Sequence, residues 1–211
     1  MDELAKIIKH FVYRDSAYII GGSCVIVVFF RLFNRPDLFY LSTAGIFLFA
    51  GVAYAVGYAL QDGLSITRLL TTSIVEQPPK FVGWLYGRFE RIPWVELQEG
   101  QATKAREVIM SSDTSGHFLS ELQRIETLLV ISTALGSSAF VSGILLAIKA
   151  VMSKNPFDIS IAISVLIIAF ILICLGWLKS AQWAQHSDRY AKALGWSWNC
   201  TRKSWQITRD T

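Results

Sequence analysis

The sequence predicts an all-α membrane protein: four transmembrane helices in two antiparallel hairpins, with a cytoplasmic helical insert between them and a helical C-terminal tail. Three observations predict this. Of the 211 residues 53% are hydrophobic and only 17% charged, where soluble domains carry about 25% charged residues. Four windows contain no acid and are long enough to cross a bilayer, which takes about 20 apolar residues at about 1.5 Å each. The windows fall into two pairs, each closed by a short turn containing proline, and short connections make antiparallel neighbours.

Residues 1–15 are read as a cytoplasmic N-terminal segment and 16–62 as the first hairpin. Its first span, "SAYIIGGSCVIVVFFRLF", carries Arg31 near its end, where a long side chain reaches the headgroups. Lys6, Lys9 and Arg14 precede it as in a secretory signal, but no small-residue cleavage pattern follows, so the span is expected to be retained. At "NRPD" Pro36 ends the helix and biases Arg35 away from helical angles, and the second span returns from Leu38 to about Leu60. Residues 127–179 form the second hairpin, whose spans turn at "SKNPFD".

Sixteen of the 20 Lys and Arg residues lie on the side that holds both termini and the insert, and four on the other. The positive-inside rule therefore places the termini and the insert in the cytoplasm, in a bacterial inner membrane or a plasma or organelle membrane. The net charge of +4 follows from this retention and from contact with anionic headgroups. Nucleic-acid binding needs a dense basic patch with stacking aromatics, and none is present, so no nucleic-acid partner is expected. Cys24 and Cys174 fall inside spans and Cys200 in the tail, which argues against a disulfide framework.

The insert, residues 63–126, opens with "GLSITRLLTTSIVE" and continues after Pro78 and Pro79 with "KFVGWLYGRFERIPW". Phe81, Trp84, Leu85 and Phe89 recur there at helical spacing beside Lys80, Arg88, Glu90 and Arg91. This is the pattern of an amphipathic helix in the membrane interface or of a helix packed on the cytoplasmic bundle. Val95 to Met110 reads as soluble, with helix formers such as Glu96, Gln98, Lys104, Ala105 and Arg106, "SSDTSG" breaks it, and "HFLSELQRIE" leads into the third span. The tail, residues 180–211, is expected to continue the fourth span as a helical stalk through "SAQWAQHSDRYAKALGW". Trp84, Trp94, Trp177 and Trp183 fall near the cytoplasmic interface, which suits an indole with its ring in oil and its N–H in water. Trp196, Trp198 and Trp205 lie farther down the tail.

Catalytic and cofactor signatures are scarce. His10, His117 and His186 are isolated, and no pair lies in a span at a spacing that holds haem or metal, so no metal or other cofactor is expected. No phosphate loop or nucleophile elbow occurs. The cluster Asp113, Ser115 and His117 in "SSDTSGHF" resembles the Ser-Gly-His element of phosphatidic-acid-type lipid phosphatases. It lacks that family's flanking proline, its Lys and Arg-Pro motif and its later Arg and His motif, and a helix-linking turn explains the same residues. "QDGL" from Gln61 to Leu64 likewise lacks the further aspartates of the CDP-alcohol phosphotransferases. No catalytic residue is assigned, and the chain is not expected to be an enzyme.

The third span carries the most informative pattern. At 100° per residue Ser132, Gly136, Ala139, Gly143 and Ala147 fall within about 80° of one another. Such a groove of small residues lets helix backbones approach closely, which is where association energy is found in lipid. Ala50, Ala53 and Gly57 form a weaker counterpart on the second span, and the two grooves are expected to pair across the hairpins. Ser138 and Ser142, one turn apart on another side, are left as residues that back-bond to their own helix or line a water-filled path in an oligomer.

Two function classes follow. The first is a homo-oligomeric channel subunit, from the polar side of the third span and the absence of catalytic groups. The second is a scaffold, accessory or membrane-shaping subunit that binds a cytoplasmic protein through residues 63–126 and 180–211. Its layout resembles that of reticulon-type proteins and of flagellar-stator channel subunits, by arrangement alone. A lipid-modifying enzyme built on Asp113, Ser115 and His117 is a third class.

Overall fold

In a computed structural model, which describes residues 2–33, 43–66, 80–90 and 95–207, the chain is nearly all helical. Among the described residues six helices are formed: α1 (Asp2–Leu32), α2 (Thr43–Ile66), α3 (Lys80–Glu90), α4 (Gln101–Ser112), α5 (His117–Ser153) and α6 (Pro156–Ala193). Two short strands follow, β1 (Trp196–Asn199) and β2 (Ser204–Ile207). The "NRPD" turn, segment 67–79 and Trp94 lie outside the described residues, as do the side chains of Leu85 and Phe89.

Among the described residues four helices are long and apolar enough to cross a membrane: α1 over Val12–Leu32, α2 over Gly45–Leu64, α5 and α6. At 37 and 38 residues, α5 and α6 each extend about 55 Å. The α5–α6 turn is well specified. Lys154 takes a positive φ of 52°, Asn155 Oδ1 accepts the Phe157 N–H at 3.0 Å, and Pro156 occupies the first helical position, where its missing N–H costs nothing.

The chain divides into two compact units, one of residues 1–72 and 130–175, the other of 73–129 and 176–211. The boundary falls within α5 and within α6. The six described tryptophans all belong to the second unit.

The first unit is built inside out compared with a soluble protein. Its surface carries Ile46, Phe47, Leu48, Ile163, Ile167 and Phe170, all exposed. Its interior holds Gln61, Ser132, Thr133, Ser137, Ser138 and Ser142, all buried. An apolar exterior suits lipid, and small or hydroxyl side chains let helices approach and bond where hydrophobic burial drives nothing.

The closest approaches are at glycines. A Cβ on Gly22 would stand 2.6 Å from the Ala53 carbonyl carbon, and one on Gly57 would stand 2.9 Å from that of Tyr18. Rising numbers on α1 meet falling numbers on α2, so these helices run antiparallel. On α5, Gly143 faces Leu166 of α6, and Gly136 faces Leu172 and Ile173. The expected pairing of the α2 groove with the α5 groove is therefore corrected. At these glycines α2 meets α1 and α5 meets α6.

Other contacts join the two helix pairs inside this unit. Ala17 and Tyr18 pack with Ala134, Gly21 meets Ser138, and Gln61 Nε2 donates to Thr133 Oγ1 at 2.9 Å. Asp158, buried at the start of α6, accepts from Ser153 Oγ at 2.9 Å and lies 3.7 Å from the Arg31 guanidinium. Lys149 Nζ donates to the Arg31 carbonyl at 2.8 Å.

The second unit has an ordinary apolar core. Leu97, Ile109, Leu122, Ile125 and Trp183 form its centre, with Phe118 stacked on Tyr190 at 4.5 Å. Val82 and Tyr86 of α3, one helical turn apart, pack on Leu178 and Ala181 of α6. The helical stalk expected from residue 180 runs as far as Ala193, and the helical tail expected beyond it is corrected. Helix α6 stops at Ala193, Gly195 takes a φ of 82°, and residues 196–207 form an antiparallel hairpin. The reason is the alternation in "WSWN" and "SWQI", which places every second side chain on one face of a strand.

Candidate functional site

The hairpin's register pairs Trp196 with Ile207, Trp198 with Trp205 and Asn199 with Ser204. Asn199 Oδ1 accepts the backbone N–H groups of Thr201 and Arg202, both at 3.0 Å, which shapes the turn. The two faces differ in chemistry. Trp196, Trp198 and Trp205 pack with Ala105 and Val108 of α4 and Ala191 of α6. On the other face Asn199 Nδ2 donates to Gln206 Oε1 at 3.2 Å.

A hydrogen-bonded frame ties this hairpin to α4 and α6. The Trp205 indole N–H donates to the Gln101 carbonyl at 3.0 Å, and the Gln101 side chain donates to Asp188 Oδ1 at 2.7 Å. Lys192 Nζ donates to Asp188 Oδ2 at 2.7 Å. The Gln98 N–H reaches Gln101 Oε1 at 3.0 Å, and the Trp198 indole N–H donates to Gln98 Oε1 at 2.9 Å. Asp188 is 4% exposed, so its charge is held by these two donors rather than by water.

This frame encloses an open cleft of about 600 Å³, lined by Glu96, Gln98, Gln101, Lys192, Trp196, Ser197, Trp198 and Cys200. That size lies within the range of about 300–1,000 Å³ typical of ligand sites. The lining offers indole faces, amides and one charge of each sign, which is recognition chemistry. Among the described residues no cluster of metal-ligating side chains occurs.

No known protein family, curated protein or solved structure matches this chain. The site therefore has to be read from its own chemistry.

The residues singled out in the sequence are distributed as follows. Ser138 and Ser142 are 1% and 3% exposed and lie inside the chain, Ser138 against Gly21. Their hydroxyls have no hydrogen-bond partner among the described residues; it is Thr133 and Ser137 that bond back, to the Val130 and Ala134 carbonyls at 3.0 and 2.9 Å. Of the groove residues, Ser132, Gly136, Gly143, Ala53 and Gly57 are buried, and Ala50, Ala139 and Ala147 are half-buried. On α3, Phe81 and Trp84 are exposed while Val82 and Tyr86 face inward. Trp177 packs against the Val82–Tyr86 cluster. Trp183, placed by sequence at the membrane interface, is instead fully buried in the second unit's core.

Asp113 and Ser115 lie in the turn between α4 and α5, and His117 opens α5. Ser115 Oγ donates to Asp113 Oδ1 at 2.7 Å, the Leu119 N–H donates to Asp113 Oδ2 at 3.1 Å, and the His117 backbone N–H points to Ser115 Oγ at 3.3 Å. What desolvation Asp113 feels acts upward, but the Ser115 hydroxyl and the N–H groups of Leu119, Phe118 and Gly116 together hold its carboxyl below the usual range. This satisfies amides that a helix start leaves without partners. It gives the Ser115 hydroxyl a carboxylate to bond rather than a base that takes its proton.

Gln101 and Lys192 at the cleft and Asp188 beneath it escape a sequence reading because they meet only in three dimensions. The strand residues Trp196 to Asn199 do carry a signal, the period-two aromatics just after Gly195.

Proposed function

We propose that the chain is an integral-membrane scaffold or accessory subunit whose insert and tail together present a cytoplasmic binding site for a protein partner. One observation carries this reading. Two stretches separated in sequence by the third and fourth spans fold into a single unit with an open, aromatic and polar cleft. A conducting role drew its support from Ser138 and Ser142, and their burial against the chain's own helices favours the anchoring reading.

In this proposal two hairpins cross the membrane and both termini are cytoplasmic, as the sixteen to four division of basic residues favours. A single cysteine placed at Asn155 is expected to react with a membrane-impermeant maleimide added from outside and to be silent to the same reagent added to inside-out vesicles. The reverse pattern inverts the topology and removes the cytoplasmic site.

The functional test uses the full chain in two settings. Purified protein in liposomes is expected to give no ion flux across a range of voltages. In cells, a photo-crosslinking residue at Ser197 is expected to give one discrete protein adduct, and the same residue at Arg124, on the exposed side of α5, none. Sustained flux with no Ser197 adduct would replace the scaffold by a channel.

A further inference from the structure

The cleft is lined by three consecutive strand residues, Trp196, Ser197 and Trp198. Successive side chains of a strand point to opposite faces, so a cavity on one face would meet every second residue. Contact with all three places the cleft along the strand's edge. The opposite edge of β1 belongs to β2, and none of Ser204–Ile207 lines the cleft. Among the described residues, the backbone of Trp196–Asn199 makes no hydrogen bond except to β2. An edge of this kind presents a row of N–H and C=O groups that another extended backbone can pair.

We propose that the open edge of β1 receives an extended segment of a partner protein as an added strand. This rests on the scaffold reading above and names the form its partner takes. The four residues of β1 span about 13 Å, enough for a segment of about four to six residues. The side-chain preference follows from the two faces of the hairpin. On one face the incoming strand lies beside the Trp196 and Trp198 rings and is apolar or aromatic at alternate positions; on the other it continues the polar row of Ser197 and Asn199 and is polar. Lys192 and Glu96, one of each sign at the cleft, favour no strong net charge on the segment. A second copy of the hairpin is disfavoured as the occupant. The segment Glu96–Gln101 walls the far side of the cleft, joined to β1 through the bond from Trp198 to Gln98, and a copy of β1 would carry its own β2 and α4 into that slot.

The test uses full-length protein in nanodiscs and an array of random heptapeptides. Captured peptides are expected to alternate apolar and polar residues. Each captured sequence is then remade with single N-methyl groups along its backbone. Because alternate amides of an added strand face β1, methylation at alternate positions is expected to weaken binding at least about tenfold, and at the intervening positions less than about twofold. Uniform tolerance of N-methylation, or capture of no peptide above background, overturns strand addition. The Ser197 crosslink separates the two failures. A discrete partner adduct without peptide capture leaves the scaffold standing and removes the strand, whereas the absence of both removes both. A self-adduct at Ser197 with a dimeric nanodisc particle assigns the edge to a second copy and also overturns the proposal.

Discussion

Replacing Gly22 by alanine is expected to remove most of the folded protein, and Gly57→Ala is expected to do the same. At each position the added methyl group runs into backbone of the facing helix, the Ala53 carbonyl from Gly22 and the Tyr18 carbonyl from Gly57. A flexible side chain can swing aside, but a helix backbone moves only as a whole, so relief requires α1 and α2 to separate. Overpacking costs about 1–3 kcal/mol and occasionally more, and a clash with backbone belongs at the upper end. Against a total stability of about 5–15 kcal/mol that is a large share. Alanine's better helix propensity, about 1 kcal/mol over glycine, is too small to offset it. Gly51 and Gly63 provide the control, since a Cβ on either meets nothing within 4 Å; their alanine variants are expected to match or slightly exceed the parent in thermal stability. Gly143→Ala falls between, because its neighbour is the Leu166 side chain at 2.6 Å, which can change rotamer. Thermal unfolding in detergent, followed by circular dichroism, ranks the variants. A Gly22→Ala protein as stable as Gly51→Ala would show that α1 and α2 do not approach in this way.

The four long apolar helices were legible in the sequence because composition and length alone decide whether a segment suits a bilayer, as the acid-free windows ending near Phe33 and Trp177 show. The partner of each groove was not. Gly143 and Gly57 announce that something approaches closely, but small residues carry no label for which helix comes near, and Leu166 and Tyr18 look like ordinary lipid-facing or interfacial residues in one dimension. The burial of Trp183 was hidden for a related reason. An indole just beyond a span reads as an interfacial anchor, and only the return of Leu97, Ile109 and Leu122 from the insert covers it. The hairpin at 196–207 was in principle readable. Its alternation follows an amphipathic helix without a break in polarity, so Gly195 was the sole punctuation between a period of 3.6 and a period of two.

The second large effect is expected at Asp188, and it tests the frame beneath the cleft. Its two carboxylate oxygens accept from Gln101 Nε2 and Lys192 Nζ, both at 2.7 Å, with Asp188 itself 4% exposed. Asp188→Ala leaves the buried Gln101 amide without its acceptor, which costs about 1–3 kcal/mol, while the half-exposed Lys192 ammonium returns to water. The damage spreads because Gln101 also accepts from the Gln98 backbone and from the Trp205 indole, so both walls of the cleft lose their common support. Lys192→Ala is expected to cost less, about 1 kcal/mol, since the lysine side chain is 53% exposed and water can take its place at the carboxylate. Glu121→Ala breaks the pair with Arg124, whose side chains are 37% and 72% exposed, and is expected to cost less than about 0.5 kcal/mol. Asp188→Asn belongs between the first two, because it keeps an oxygen for Gln101 but turns an N–H donor toward Lys192. Chemical unfolding of the full chain, followed by tryptophan fluorescence, reads this unit selectively, since every described tryptophan lies in it. The order Asp188→Ala, Asp188→Asn, Lys192→Ala, Glu121→Ala in decreasing loss supports the frame. An Asp188→Ala variant no weaker than Glu121→Ala would mean that the carboxylate is hydrated, that the cleft does not rest on it, and that its walls are set by apolar packing around Trp205 alone.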